Sequence, residues 1–311
     1  MPELPEVETM ARDLKKAIVG KTIRKVWYDW PKMIHLELEN GRRHLGHHPA
    51  SRTMFGRKLR GLKVVSVSRR AKNVLIGLSG DHILAVHPKM TGHFLSGQWI
   101  MRGGKPLPAS YGLSRRQAEA IREKVNSYIH FLLWFKDGSM LGYSDARKFG
   151  RIIFGAKEKV LGSKELSSLG PEPLGSDLDL PALRKILSSS RGRIKQMLLD
   201  QTKIAGIGNI YADEILWTSK VHPLRRANSL SDGEAKALFN NIKKVLTSAI
   251  KMRGTSMSDY RDASGESGGY MRLIKVYGRE GEPCLRCRML IKRIVIAARS
   301  AHFCPRCQRL A

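Results

Sequence analysis

The 311-residue chain has no run of about 18 apolar residues, the length at which a helix becomes a candidate to cross a bilayer, so no membrane span is expected. Its opening, Met1-Pro2-Glu3-Leu4-Pro5-Glu6, puts acids where a secretory signal carries positive charge. A soluble protein that stays inside the cell is the expectation. Cysteine is scarce: there are 4, all within the last 28 residues, which in a cytosolic chain favours a metal site over disulfides. Acids are also few, with 27 Asp and Glu against 56 Lys and Arg for a formal net charge of +29. That surplus argues against an ordinary metabolic enzyme for neutral substrates and suits a dense polyanion, nucleic acid first. Charge alone does not separate an enzyme from a merely basic protein.

Hydrophobic residues make up 42% of the chain, enough for a sizeable core, and its length favours two lobes over one. Val7, Met10, Ala11, Leu14, Ala17 and Ile18 recur at helical spacing and Gly20 stands where the helix should stop. Pro5 suits the first helical turn, so the first residues are held at the mouth of a folded element. From Thr22 to about Phe154 short apolar runs read as strands: 23–28, 34–38, 62–67, 74–78, 83–87 and 129–135. Asn40-Gly41, Gly80-Asp81 and Asp137-Gly138 supply turns, which argues for antiparallel pairing in a sandwich or barrel. The stretch Ser96 to Lys124, with Gly103, Gly104, Pro106 and Pro108, reads as a long surface insertion. A polar Gly/Pro-containing stretch from Gly155 to Asp179 reads as the linker to a mostly helical lobe. There Ser231 and Glu234 form a capping box before Leu238, Ile242, Val245, Leu246 and Ala249.

Cys284-x-x-Cys287 and Cys304-x-x-Cys307 supply four thiolates, a closed tetrahedral set for one structural Zn²⁺. Ile291, Val295 and Ile296 between them suit a hairpin with Arg299 near its tip. The segment from Lys203 to Ala212 sets Gly206, Gly208 and Asn209 immediately before a helical run, exposing backbone N–H groups suited to a phosphate. A plain helix corner capped by Asn209 explains the same residues.

The most informative feature is Pro2-Glu3. Once Met1 is removed, Pro2 is a secondary α-amine. At pKa about 8 such an amine is roughly 10% neutral at pH 7, whereas a lysine at about 10.4 is neutral roughly four times in ten thousand. Attack on a sugar C1′ gives an iminium that acidifies the C2′ hydrogen for strand-cleaving elimination, with Glu3 in reach to move protons.

In order, Pro2–Thr9 (PELPEVET), Arg69–Lys72 (RRAK), His87–Gly92 (HPKMTG), Asp145–Gly150 (DARKFG), Ile204–Ala212 (IAGIGNIYA), Val276–Gly281 (VYGREG) and the four-cysteine ribbon resemble the formamidopyrimidine-DNA glycosylase family over the whole chain. The resemblance implies an α+β protein. Residues 1–157 would form an N-terminal antiparallel β-sandwich with its N-terminal helix, 158–277 a linker and helix–two-turn–helix lobe, and 278–311 a four-cysteine zinc-finger β-hairpin. Damaged double-stranded DNA would lie in the cleft between lobes of a monomer.

By the same resemblance Pro2 is the Schiff-base nucleophile, Glu3 the general acid/base and Glu6 a support of the lesion pocket. Lys72 and Arg299 complete the catalytic group by holding phosphates beside the lesion, joined by Asn209; His87 and Tyr277 are further phosphate contacts. Met90, Arg147 and Phe149 match the trio that enters the duplex when a nucleotide is flipped out, which recovers part of the stacking energy lost. Without the family, Met90 and Phe149 would be read as core and Arg147 as a solvated charge.

The implied activity is removal of oxidised purines, 8-oxoguanine and formamidopyrimidines, by a bifunctional glycosylase and AP lyase acting by β,δ-elimination. An endonuclease VIII-like preference for oxidised pyrimidines and a non-catalytic zinc-ribbon binder of damaged DNA are the alternatives. Leu4, Met90 and Asp145 to Phe149 favour the purine branch. Three features depart from the pattern: Ser258 replaces a basic residue, Arg288 replaces a glycine, and 96–124 is long.

Overall fold

The computed structural model describes residues 1–37, 43–45, 49–109, 111–257 and 259–310. Two compact units result, one of Met1–Ser167 with Arg253–Gly269, the other of Ser168–Met252 with Tyr270–Ala311.

In the first unit, α1 (Leu4–Ile18) buries Val7, Met10, Ala11, Leu14 and Ile18 along one stripe, and Gly20 ends it at φ +89°. The elements that follow are β1 (Ile23–Tyr28), β2 (Ile34–Glu37), β3 (Arg43–Leu45), α2 (Pro49–Leu59), β4 (Val64–Arg70), β5 (Asn73–Leu78) and β6 (His82–His87). Then come β7 (His93–Arg102), β8 (Lys105–Ala109), α3 (Arg115–Arg122), β9 (Ile129–Phe135), β10 (Met140–Ser144), β11 (Arg151–Ala156), α4 (Lys157–Leu161) and α5 (Lys164–Ser167). They form a five-stranded sheet ordered β1-β9-β10-β7-β8 and a six-stranded sheet ordered β3-β2-β11-β6-β5-β4. Phe94, Phe131, Leu133 and Tyr143 of the first sheet meet Ile34, Val74, Val86, Ile152 and Phe154 of the second in one core. Helix α1 packs on β4 and β5 and adds Val7, Met10 and Leu14 to it. All pairings are antiparallel among the described strands except β11 with β2, where Ile152–Phe154 run parallel to Ile34–Leu36.

The stretch 96–124, expected as a long surface insertion, is ordered into strand and helix. Gly103 and Gly104, at φ +57° and +77°, make the tight turn of the β7–β8 hairpin, which extends the sheet. Ser114 caps α3 through the Gln117 N–H, and Ile121 joins Trp99, Leu95 and Ile129 in a satellite core. The Asn40-Gly41 turn signal and Ser258 lie outside the described residues.

The second unit holds α6 (Leu180–Ser188), α7 (Ile194–Leu199), α8 (Asn209–Thr218), α9 (Asp232–Lys251) and the hairpin β12 (Lys292–Ile296) with β13 (Arg299–Phe303). Ser231 and Glu234 make the expected capping box at the start of α9. Ala297 and Ala298 both take positive φ, so Ile296 pairs directly with Arg299 and the arginine stands at the hairpin tip.

Candidate active site and nucleic-acid interface

Glu3 is the N-cap of α1, with extended backbone, and Pro5 occupies the first turn as its fixed φ allows. Pro2, Glu3 and Glu6 are all buried. The Glu3 N–H donates to Glu6 Oε2 at 2.7 Å and the Thr255 N–H donates to Glu6 Oε1 at 2.7 Å, so one carboxylate joins the N-terminal end of α1 to segment 253–269. Gly254, at φ +81°, is required here: a Cβ on it would lie 2.7 Å from Glu6 Oε1.

Arg69 explains much of the RRAK motif. Its guanidinium donates to Glu8 Oε2 of α1 at 2.9 Å and to the Ala71 carbonyl at 3.0 Å, which fixes the β4–β5 turn and places Lys72, largely buried, next to it. Burial opposes charge on Glu8, but the guanidinium groups of Arg12 and Arg69 hold its carboxyl below the usual range.

The HPKMTG and DARKFG loops are bound to one another by a residue that the sequence reading did not single out. Asp145 is fully buried; its Oδ1 accepts from the Thr91 hydroxyl and its Oδ2 from the Gly150 N–H at 2.7 Å, while Thr91 Oγ1 accepts from the Arg147 N–H at 3.1 Å. The signal for Asp145 and Thr91 was their position inside both quoted motifs. Lys89 and Lys148 take left-handed backbone conformations beside Met90 and Phe149, at φ +55° and +57°. Phe149 is 54% exposed and the Arg147 guanidinium lies 4.7 Å from its ring centroid, so neither belongs to the core. Met1, Met90 and Phe149 line one cavity of about 650 Å³ with His35, Lys32, Lys89, Lys148 and Arg151.

His87 ends β6 at the edge of this group. Its Nδ1 accepts the Lys89 N–H at 3.0 Å, so the neutral ring carries its proton on Nε2. Burial, then the charges of Lys89, Lys72 and Arg151, push its pKa down to about 3.

In the second unit Gly208, not Asn209, is the N-cap of α8 and Asn209 is the first helical residue. Asn209 Nδ2 donates to Ser300 Oγ at 3.2 Å, which sets it beside the hairpin tip and Arg299. Tyr277 packs edge-on against His302 with ring centroids 5.1 Å apart. Asn209, Tyr277 and Arg299 therefore share the surroundings of one hairpin. Two adjacent acids of α8 do the holding. Asp213 accepts from Lys195 Nζ at 2.6 Å and from the His302 N–H at 2.9 Å, and Lys195 also donates to the Ser300 carbonyl. Glu214 accepts the N–H groups of Lys275, Val276 and Tyr277 at 2.9, 2.9 and 3.0 Å; burial raises its pKa against those bonds. An Asp-Glu pair inside the apolar run Ile210–Trp217 was the available signal.

The four cysteine Sγ atoms lie within 4.8 Å of one another, with Cys287 and Cys304 at 3.4 Å. A tetrahedral zinc with Zn–S of about 2.3 Å needs sulfurs about 3.8 Å apart, so the set fits one closed, structural Zn²⁺. Backbone N–H groups of Arg286 and Cys307 point at Cys284 and Cys304 sulfurs at 3.4 Å, as thiolates require.

No helix among the described residues is long and apolar enough to cross a membrane. Three family models match: the formamidopyrimidine-DNA glycosylase N-terminal domain over residues 1–152, the formamidopyrimidine-DNA glycosylase H2TH domain over 169–261, and the zinc finger found in FPG and IleRS over 281–310. The formamidopyrimidine-DNA glycosylase of Heliobacterium modesticaldum is 38% identical, the match covering 99% of this chain and 100% of that protein. Among solved structures, a Lactococcus lactis Fpg variant in complex with Fapy-dG containing DNA superposes with a TM-score of 0.81 at 33% identity, covering 99% of this chain and 100% of that one. MutM in complex with carbocyclic 8-oxo-G containing DNA gives 0.80 at 33% identity, with the same coverage. With both units and the cysteine ribbon matched end to end, the chain belongs to the formamidopyrimidine-DNA glycosylase family.

Proposed function

We propose that this enzyme excises oxidised purines from double-stranded DNA and then cuts the backbone, with Pro2 as nucleophile. The observation that carries the reading is the shared cavity of Met1, Met90 and Phe149, which sets the chain's start against an exposed, arginine-stacked aromatic. Relatives crystallised on Fapy-dG and 8-oxo-G DNA support the lesion class.

The Pro2 nitrogen, freed by removal of Met1, bonds to C1′ as the bond from C1′ to the base breaks; the C1′–O4′ bond then opens, leaving an iminium at C1′ and a hydroxyl at C4′, and Glu3 moves the protons. The resulting iminium draws electrons from the C2′–H bond. A C1′-conjugated double bond forms as the 3′ phosphate leaves, and a second elimination releases the 5′ phosphate. Water then hydrolyses the iminium and returns Pro2, leaving a one-nucleotide gap. Glu6 supports the lesion pocket; Met90, Arg147 and Phe149 fill the space of the flipped nucleotide; Lys72, Arg299, Asn209, His87 and Tyr277 hold phosphates, fixing register without reading sequence.

Residues 1–157 form the catalytic part, 158–277 the helix–two-turn–helix part and 278–311 the zinc finger, in a monomer working in the bacterial cytoplasm. When bound, the zinc rigidifies the hairpin that carries Arg299 and takes no part in bond breaking. Borohydride trapping on a duplex with 8-oxoguanine opposite cytosine tests the reading. A covalent adduct that is lost in Pro2→Gly is expected; binding without any adduct would instead favour a non-catalytic reader of damaged DNA.

A further inference from the structure

Segment 253–269 follows the last helix of the second unit in sequence yet packs in the first. One side is fastened to α1: beyond the Thr255–Glu6 bond, the Tyr260 hydroxyl donates to the Glu6 carbonyl at 3.4 Å, and Arg253 joins Asp13 at 2.5 Å and Asp262 at 2.7 Å. The other side meets the stretch 96–126. The Ser96 N–H donates to the Ala263 carbonyl at 2.8 Å. Arg116 of α3 pairs with Glu266 at 2.5 Å, and Glu123 with Arg261 at 3.2 Å.

The centre of this second fastening is Asn126, fully buried. Its Nδ2 donates to the Ala120 carbonyl at 2.7 Å and the Gly265 carbonyl at 3.3 Å, and its Oδ1 lies 2.8 Å from His93 Nε2 of β7. Gly265, at φ +83°, lets the segment come this close: a Cβ there would lie 3.1 Å from Ala120 Cβ. Exposed ion pairs hold little alone, but a buried amide serving two carbonyls from different parts of the chain has no substitute in water.

We propose that 96–126 is a brace that holds segment 253–269 against Glu6, with Asn126, Arg116 and Glu123 as positioning residues for base excision. The inference rests on the role of Glu6 in the lesion pocket given above. The brace fixes the Thr255 N–H on one Glu6 oxygen while the other stays on Glu3, so the pocket side of the site is set before a damaged base arrives. An abasic deoxyribose has no base for that side to hold. Excision and abasic cleavage should therefore separate.

The test uses full-length zinc-loaded protein with Asn126→Ala, Arg116→Glu and the reversal Arg116→Glu/Glu266→Arg. Three measurements are compared: amide hydrogen exchange across 253–269, single-turnover excision of 8-oxoguanine, and cleavage of a pre-formed abasic site. Asn126→Ala should raise exchange about tenfold and slow excision fivefold or more, with abasic cleavage within twofold of wild type. Arg116→Glu should move the same way by about two- to threefold, and the reversal should restore it. Unchanged exchange in the single variants, or excision and abasic cleavage falling by one common factor, overturns the brace. If Asn126→Ala does not fold, the Arg116 pair decides. A wild type that excises no base defeats the functional reading instead, and exchange alone then decides the brace.

Discussion

Glu6 accepts a 2.7 Å hydrogen bond from the Thr255 N–H, 249 residues further along the chain. With the other oxygen on the Glu3 N–H, both Glu6 oxygens act as acceptors for backbone donors. Glu6→Gln puts an NH₂ group against one of these N–H donors, leaving a buried donor unsatisfied. A loss of about 1–3 kcal/mol is expected in urea unfolding, together with slower base excision. Wild-type stability in Glu6→Gln would show that the carboxylate does not hold the two segments together.

His87 provides a pH-dependent test. Its folded pKa of about 3 lies below the ordinary 6.5, so above the ordinary value both folded and unfolded rings are neutral and it contributes nothing. As pH falls from 6.5 towards 3 the unfolded ring takes a proton that the folded ring refuses, beside Lys89, Lys72 and Arg151, and stability is lost. His87→Gln should flatten that part of the profile of urea midpoint against pH. In its proposed phosphate contact His87 would act as a neutral donor, so the same variant should leave the log–log salt slope of DNA binding unchanged, whereas Lys72→Gln should reduce it by about 0.9. Equal slope changes in both variants would mean that the imidazole is charged in the complex.

Much of this was legible in advance where local pattern and tertiary structure agree. The stripe of α1 carries apolar side chains at the helical period, and the runs of β1 and β9 are short segments rich in apolar and aromatic residues, although neither alternates. The cysteine knuckles needed only spacing. What escaped depends on partners far along the chain. Nothing around Asn126 announces that Gly265 is its acceptor, and β10 and β11 lacked a strand signal of their own because Gly142 and Gly155 interrupt short runs whose burial comes from neighbouring strands. The Gly103-Gly104 pair is a hairpin signal, and Pro106 and Pro108, which argue against a central strand, sit in the edge strand β8. Asp213 and Glu214 were hidden for the opposite reason: acids in an apolar helix mark buried acceptors only once their donors are known.

Arg288 tests a departure from the family pattern. It follows Cys287 at φ +65°, a conformation that costs an L-residue about 1–2 kcal/mol and glycine almost nothing. A glycine here, as the family resemblance leads one to expect, would avoid that cost. Arg288 is exposed, so its side chain gives no core packing in return. Arg288→Gly should stabilise the zinc ribbon by about 1 kcal/mol, read as slower zinc loss to a chelator. Faster loss would point to an uncompensated role for the guanidinium.

Zinc removal should be visible at Trp217. This side chain packs with Val276, Cys284, Ile291 and Cys304 in one cluster, and the Arg286 guanidinium lies 4.0 Å from its ring centroid. Four thiolates brought together without a cation repel, and ligand binding is what makes the ribbon's folding favourable. Chelation should open 284–307, expose Trp217 and shift its emission to the red, a change absent from Trp217→Phe. The first unit, whose core includes none of these residues, should keep its unfolding transition. Because Arg299 and the Ser300 partner of Asn209 ride on the same hairpin, DNA affinity should fall together with the emission shift. An unchanged affinity in fully zinc-free protein would remove Arg299 from the set of phosphate contacts.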